Sequence, residues 1–119
     1  MSNIPKDSKR EKRIDYEIVV DAYHEEERAM GWYYYLEDNL NFPFSAKWLD
    51  SRNPEKEKNV NVIDLSSTDD CLHDMFVEVE YKNEQYSAKL KHIKAIDVDE
   101  ATQTAIEDWM YWVERGYQF

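Results

Sequence analysis

The sequence of 119 residues has few of the residues that build disulfide frameworks, zinc sites or phosphate-binding loops. Its one cysteine, Cys71, excludes an intrachain disulfide, and with three separated histidines and no Cys-x-x-Cys pair it argues against a zinc site. Only 2 glycines and 3 prolines occur, which disfavours both a glycine-rich phosphate loop and an extended disordered chain. No apolar run is long enough to span a membrane, and the N-terminus has no signal-peptide pattern. We therefore expect a soluble protein of the reducing cytoplasm.

Basic residues are also few, and they are unevenly placed. The chain has 15 Lys and Arg against 26 Asp and Glu, a net charge of −11. Residues 1–13 carry a net charge of +3, so the other 106 residues together carry −14. A field of this sign repels nucleic acid and anionic membranes and attracts cations and basic proteins. We expect no nucleic acid and no membrane partner, and we keep a basic protein partner as a possibility.

Aromatic side chains are abundant, with 4 Trp, 9 Tyr and 4 Phe. Each can bury roughly 150–250 Å², so they supply the bulk of a core in a chain that is only 42% hydrophobic. The length is that of one domain. Residues 1–13 are polar and basic, which predicts a flexible N-terminal tail, and residues 14–119 are predicted to form a single domain.

Helical periodicity marks both ends of the predicted domain. A first helix is expected from about residue 15 to residues 39–41, interrupted at Gly31 and ended ahead of Pro43. A last helix is expected over residues 98–115, with Asp97 as its N-cap and Gly116 as its stop.

Short strands are predicted between the two helices. Period-two alternation is clearest in residues 75–81, and residues 82–85 read as the turn of an antiparallel hairpin. Further strands are expected over 44–49, 60–65 and 86–96, with a charged loop over 50–59. The order predicts an α+β domain, a small antiparallel sheet or partly open barrel flanked by N- and C-terminal helices.

Clustered carboxylates are the main functional signal. The segment from Asp21 to Phe44 sets many of them beside aromatic rings, and such groups repel one another unless they are solvated, paired or bound to a cation. Calcium prefers carboxylate and carbonyl oxygens. The best EF-hand window starts at Asp97, but Thr102 stands where that loop needs glycine, and the window falls on a predicted helix.

A calcium site would therefore be built from separate segments. Glu37 and Asp38 end the first helix, where carboxylates are disfavoured without a counter-cation. Asp69, Asp70 and Asp74 lie in an acidic loop that supplies a second candidate wall. The alternative is that all five are solvated surface carboxylates.

Other functions have less support from the residues. The −14 charge also suits an acidic interaction module that mimics nucleic acid and binds a basic partner. Cys71 and His73 have no evident orienting partner, so we expect the protein not to be an enzyme. The aromatic run over residues 32–35 is expected to pack in the core against Trp109, Tyr111 and Trp112 rather than to stack on a ligand.

Three segments resemble a known family. The runs DAYHEEERAMGWYYYLEDNLNFPF, DDCLHDMFVEVEY and AIEDWMYWVERGYQF are similar to those of the CcbP family of small cyanobacterial calcium-binding proteins. The resemblance covers about residues 15–119. It implies a cytoplasmic calcium binder without EF-hands, which buffers or senses free calcium and influences heterocyst differentiation. It also implies Asp38 as a ligand with most weight, then Glu37 and Asp70, while Asp69 and Asp74 come from the acidic-loop argument. We expect a monomer whose ligand is Ca²⁺.

Overall fold

Three α-helices and five β-strands make up the part of the chain that the computed structural model describes, residues 5–50 and 53–119, with side chains described for 5–49 and 56–119. The order is helices, then strands, then a helix, which confirms the predicted α+β class. The helices are α1 (Ser8–Arg13), α2 (Glu25–Asn39) and α3 (Glu100–Glu114), with a π-helical turn at Ile14–Ile18 and a 3₁₀ turn at Leu90–His92. The strands are β1 (Phe44–Asp50), β2 (Asn53–Leu65), β3 (Phe76–Tyr81), β4 (Glu84–Lys89) and β5 (Ile93–Ala95).

The strands form one open antiparallel sheet in the order β4-β3-β2-β1-β5. Alternate residues of the central strands, such as Val62, Val77 and Val79, are fully buried and belong to the same core cluster as the apolar side chains of α2 and α3. The sheet therefore has one face under the helices and one face toward solvent, as the alternation in β3 predicted. None of the described helices is both long and apolar enough to cross a membrane.

The aromatic run of α2 enters the core, as predicted. Trp32 is fully buried, with its ring centroid 5.1 Å from that of Trp109 and 5.6 Å from that of Trp112. Such edge-to-face and tilted contacts are the favoured packing of aromatic pairs. Tyr34 is the exception in the run, because its side chain is exposed.

The predicted charged loop over residues 50–59 is wrong. β1 continues to Asp50 and β2 begins at Asn53, so most of this segment is a hairpin, and residues 51–52 lie outside the described residues. Residues 56–59 are exposed on strand β2. Neither face of the strand is buried there, so the sequence has no alternation to reveal it. The next hairpin turns at Lys82 and Asn83, both with positive φ (50° and 64°), the geometry of a type I′ turn.

The predicted first helix is broken, but not at Gly31. The chain forms a π-helical turn at Ile14–Ile18, leaves the helix around Asp21 (φ 56°), and begins α2 at Glu25. Gly31 lies inside α2, where a Cβ atom would come 2.2 Å from the carbonyl oxygen of Ile18. The glycine therefore permits a close backbone contact between the N-terminal segment and α2.

Part of the predicted flexible tail is ordered in a helix. Ser8–Arg13 form α1, and Arg10 and Arg13 both donate to Asp108, a fully buried carboxylate of α3. Residues 1–4 of the predicted tail lie outside the described residues. A buried carboxylate requires charged partners, and the basic residues of the N-terminal segment supply them.

The start of α3 also differs from the prediction. Asp99, not Asp97, is the N-cap, and its side chain accepts a hydrogen bond from the Thr102 N–H. Asp97 instead has a positive φ of 51° in the turn ahead of the helix. At the other end Gly116 has a φ of 80° and ends the helix as predicted.

Candidate metal centre

Asp38 lies exposed on the last turn of α2. It lines a cavity of about 760 Å³ with two carboxylates from other elements, Glu17 of the π-helical turn and Glu100 at the start of α3. Asn39 adds an amide to the same wall. These are hard oxygen donors of the kind that calcium takes as ligands, so the chemistry of the cavity fits this ion.

The end of α2 beside this cavity is fixed to α3 by hydrogen bonds. Thr102 Oγ1 donates to Asp99 at 2.6 Å and accepts from the Asn41 N–H at 3.0 Å. Asn41 Nδ2 also donates to Asp99, at 2.9 Å. These hydrogen bonds lower the pKa of Asp99 below its ordinary value, and the bond from the Thr102 hydroxyl has the largest effect. Asp99 is thus engaged in capping, which distinguishes it from the neighbouring Asp38.

A positive charge also lines the Asp38 cavity, but Asp108 neutralises it. Arg13 donates from Nε and Nη2 to the two oxygens of Asp108, each at 2.8 Å, and this pairing raises the pKa of the guanidinium. Tyr35, which lines the same cavity, donates to Asp108 at 2.6 Å. Burial, followed by that hydrogen bond, raises the pKa of Tyr35. The cavity therefore keeps the negative charge of Asp38, Glu17 and Glu100.

Glu37 is exposed on a different side of α2, because consecutive helical residues are about 100° apart. It lies near Tyr33, whose phenol pKa is raised by burial and then by the charges of Glu37, Cys71 and Asp64. Tyr33 donates to the Ser66 carbonyl at 3.0 Å, where the acidic loop begins. Glu37 is thus close to Tyr33, which contacts the start of the connection between β2 and β3, and it does not line the Asp38 cavity.

Asp69 and Asp70 are exposed in that connection. The Asp70 N–H donates to the Ser67 carbonyl and the Cys71 N–H to the Thr68 carbonyl, both at 3.1 Å, which folds the loop into a tight turn. The Cys71 side chain is fully buried beneath it. Within the described part of the chain, neither aspartate forms an ion pair with Lys or Arg, so both carboxylates face solvent without a cation.

Asp74 has a different environment from the other loop carboxylates. Its Oδ1 accepts from the Met75 N–H at 2.9 Å, and its Oδ2 lies 3.5 Å from Lys91 Nζ and 4.0 Å from Lys89 Nζ. It lines a separate cavity of about 400 Å³ with Glu25 and His73. The nearby lysines already balance its charge.

The two predicted walls do not meet in one cavity. Asp38 and Asp74 line different cavities, and among the side chains described, those of residues 5–49 and 56–119, no three acidic, histidine or cysteine groups converge closely enough to hold a metal ion as they stand. Calcium at Asp38 would therefore need side-chain movement, backbone oxygens or water to complete its shell.

Sequence reasoning missed two carboxylates of the Asp38 cavity. Glu17 was not singled out, and Glu100 was interpreted only as part of a helix start. Their neighbours in sequence carry no signal of this role, because the three carboxylates come from the π-helical turn, α2 and α3 and meet only in the folded chain. Asp64 and Glu78 are paired in the register of β2 and β3, but neither lines the Asp38 cavity.

Comparisons with known proteins show which family the chain resembles. The family model Calci_bind_CcbP, described as calcium binding, matches residues 12–113. The crystal structure of Anabaena CcbP is 51% identical to the chain with a TM-score of 0.91, and 100% of each chain is covered. A calcium-binding protein in the calcium-binding form is likewise 51% identical, with a TM-score of 0.92 and 100% of each chain covered. No curated protein sequence matches the chain.

The family match covers most of the chain, and the similarity to both solved structures extends over the whole of it. By these two measures, the chain belongs to the CcbP family of calcium-binding proteins.

Proposed function

We propose that this protein buffers or senses free calcium in the cytoplasm, through a site centred on Asp38 that is not an EF-hand, and that it is not an enzyme. The observation that carries the proposal is the full-length similarity, at 51% identity, to a protein solved in its calcium-binding form. In a heterocyst-forming filament, the abundance of such a protein would set the free calcium level and thereby influence differentiation. We also propose that it acts as a monomer.

Electrostatics favours Asp38 as the central ligand. Its carboxylate stands at the C-terminal end of α2, where the helix dipole is negative, and Glu17 and Glu100 line the same cavity. The nearby guanidinium of Arg13 is already bound by Asp108. A calcium ion would relieve the repulsion among these carboxylates.

The remaining predicted ligands would form a second, weaker group on the other side of α2. Glu37 lies near Tyr33, whose hydroxyl donates to Ser66 at the start of the loop that carries Asp69 and Asp70, and all three carboxylates are exposed. Asp74 is the least available of the five, because Lys91 Nζ lies 3.5 Å from its Oδ2. We therefore expect substitutions at Asp38 to weaken calcium binding more than substitutions at Asp74.

Calorimetric titration of the chelator-stripped protein with calcium, in the presence of magnesium, tests the assignment. Asp38→Asn should weaken calcium binding by at least about tenfold, equivalent to about 1.4 kcal/mol. Glu114→Gln is the matched control. It removes one negative charge, as Asp38→Asn does, but Glu114 is exposed and does not line the Asp38 cavity. If both variants bind calcium as the unmodified protein does, Asp38 is not a ligand.

The same titration separates a defined site from a diffuse acidic surface. Weak heat that salt suppresses and that Asp38→Asn leaves unchanged would indicate an acidic interaction module instead. Hydrogen exchange with and without calcium then distinguishes a calcium buffer from a calcium sensor. Protection limited to residues around Asp38 would favour a buffer, and changes that reach the sheet would favour a sensor.

A further inference from the structure

Exposed apolar side chains are concentrated on one surface of the molecule. Five large hydrophobic side chains are exposed in the described residues; three of them belong to the segment ahead of α2, and a fourth, on α2, lines a cavity with that segment. Tyr16 (73% exposed), Val20 (50%) and Tyr23 (81%) lie within that segment, and Tyr34 (56%) lines the same cavity as Glu17 and Ile18. Single exposed apolar residues are ordinary, but a group of them marks an interaction site. We call these four residues the tyrosine surface.

The tyrosine surface rests on a well-anchored backbone. Ile14 and Ile18 are buried in the core on the opposite side of the same turn, and the Ile18 carbonyl packs against Gly31 of α2. Tyr16 and Val20 therefore point outward from a segment that is fixed at its base. Rings held this way lose little conformational entropy on binding, which is why tyrosine is frequent in binding hot spots.

The segment that carries most of the tyrosine surface is strongly acidic. Residues 14–27 contain six Asp and Glu and no Lys or Arg. The two flanking arginines are engaged elsewhere, since Arg13 binds Asp108 and Arg28 Nε donates to the Phe119 carbonyl. Tyr16, Val20 and Tyr23 therefore belong to an acidic segment, and Tyr34 shares a cavity with Glu17, Asp38 and Glu100.

We propose that the tyrosine surface binds a basic segment of another protein, one that carries both apolar side chains and Lys or Arg. The apolar side chains would cover the rings, and the cations would interact with the carboxylates and with the ring faces. The same field disfavours the other occupants. A second copy of this chain carries −11, and nucleic acid and anionic membranes are also negative.

Calcium should weaken this interaction. Glu17 and Tyr34 line the Asp38 cavity, so a cation held there would reduce the negative potential beside the tyrosine surface. The coupling is reciprocal, so a bound partner would weaken calcium binding by the same factor. This step rests on the proposed function, whereas the tyrosine surface itself does not.

Fluorescence anisotropy with a labelled model peptide tests the surface. The probe is an amphipathic peptide of Arg and Leu, and its matched control has the same charge with every Leu replaced by Ser. At physiological ionic strength without calcium, the Arg/Leu peptide should bind at least about tenfold more tightly than the control. The double variant Tyr16→Ser, Tyr23→Ser should lose most of that difference. Tyr86→Ser, which removes an exposed ring on β4, should not change it.

Equal binding of the two peptides, or unchanged binding by the double variant, would overturn the proposal, because the attraction would then be diffuse charge. Circular dichroism checks that the variants fold, as expected for exposed positions. Calcium titration of the protein alone tests the proposed function separately. If calcium binds normally but does not weaken peptide binding, only the coupling is wrong.

Discussion

Asp108 is the residue on which the three helices converge. It is fully buried on α3, and it accepts hydrogen bonds from Arg10 and Arg13 of α1 and from Tyr35 of α2. In sequence it is one more acidic residue beside Glu107, and nothing in its neighbours identifies it as buried. The carboxylates of the candidate site show the same limit. The sequence shows that these residues are acidic, but it does not show that Asp99 caps α3 or that lysines lie beside Asp74.

Asp108→Asn should reduce the free energy of unfolding by about 3 kcal/mol, because removing one partner of a buried ion pair leaves the others uncompensated. Arg10 and Arg13 are partly exposed, which limits the loss. The measurement is urea denaturation at neutral pH. Glu107→Gln is the control, since Glu107 is exposed and lies 3.6 Å from Arg10 Nη2, and it should change stability by less than about 1 kcal/mol. Similar losses in both variants would contradict a special role for Asp108.

At the scale of elements, the backbone contact between the π-helical turn and α2 explains why one continuous helix was predicted where the structure has two separate helical segments. The apolar residues on both sides of the break follow a helical period, so the pattern alone predicts one helix. The break depends instead on Ile18 approaching Gly31, a contact between residues far apart in the pattern. The same limit applies to the β1–β2 hairpin, where exposed residues 56–59 carry no alternation.

Gly31→Ala should destabilise the protein by about 2–3 kcal/mol, because the new methyl group would lie 2.2 Å from a backbone oxygen that cannot rotate away. Gly116→Ala is the comparison, because its φ of 80° is strained for alanine but no atom lies within 4 Å of the new Cβ. Its expected loss is about 1 kcal/mol. Chemical denaturation measures both. If Gly31→Ala were as stable as the unmodified protein, the close contact would not exist in solution.

At the scale of the whole molecule, charge is the dominant property. A net charge of −11 on 119 residues opposes compaction through self-repulsion, and cation binding offsets that cost. The helices cover one face of the open sheet, and strand carboxylates such as Asp64, Glu80 and Glu84 are exposed, where an ion can reach them.

Calcium should therefore raise thermal stability as well as bind. At a free concentration a hundredfold above the dissociation constant, one site adds about 2.7 kcal/mol, which corresponds to a rise in Tm of about 10 °C for a domain of this size. Differential scanning fluorimetry with calcium and with excess chelator measures the shift. Asp38→Asn should reduce it. An equal rise from sodium chloride at matched ionic strength would mean that screening alone is responsible.

Composition and local periodicity were enough to predict the fold class, the aromatic core, the lack of an intrachain disulfide and the negative field. The sequence also supported membership of a calcium-binding family through segments near both ends of the domain and between them. Which carboxylates share a cavity, which are neutralised by Arg or Lys, and where the first helix breaks became clear only from the folded chain. Glu17, Asp38 and Glu100 are far apart in the chain, and what each can bind depends on neighbours that folding alone supplies.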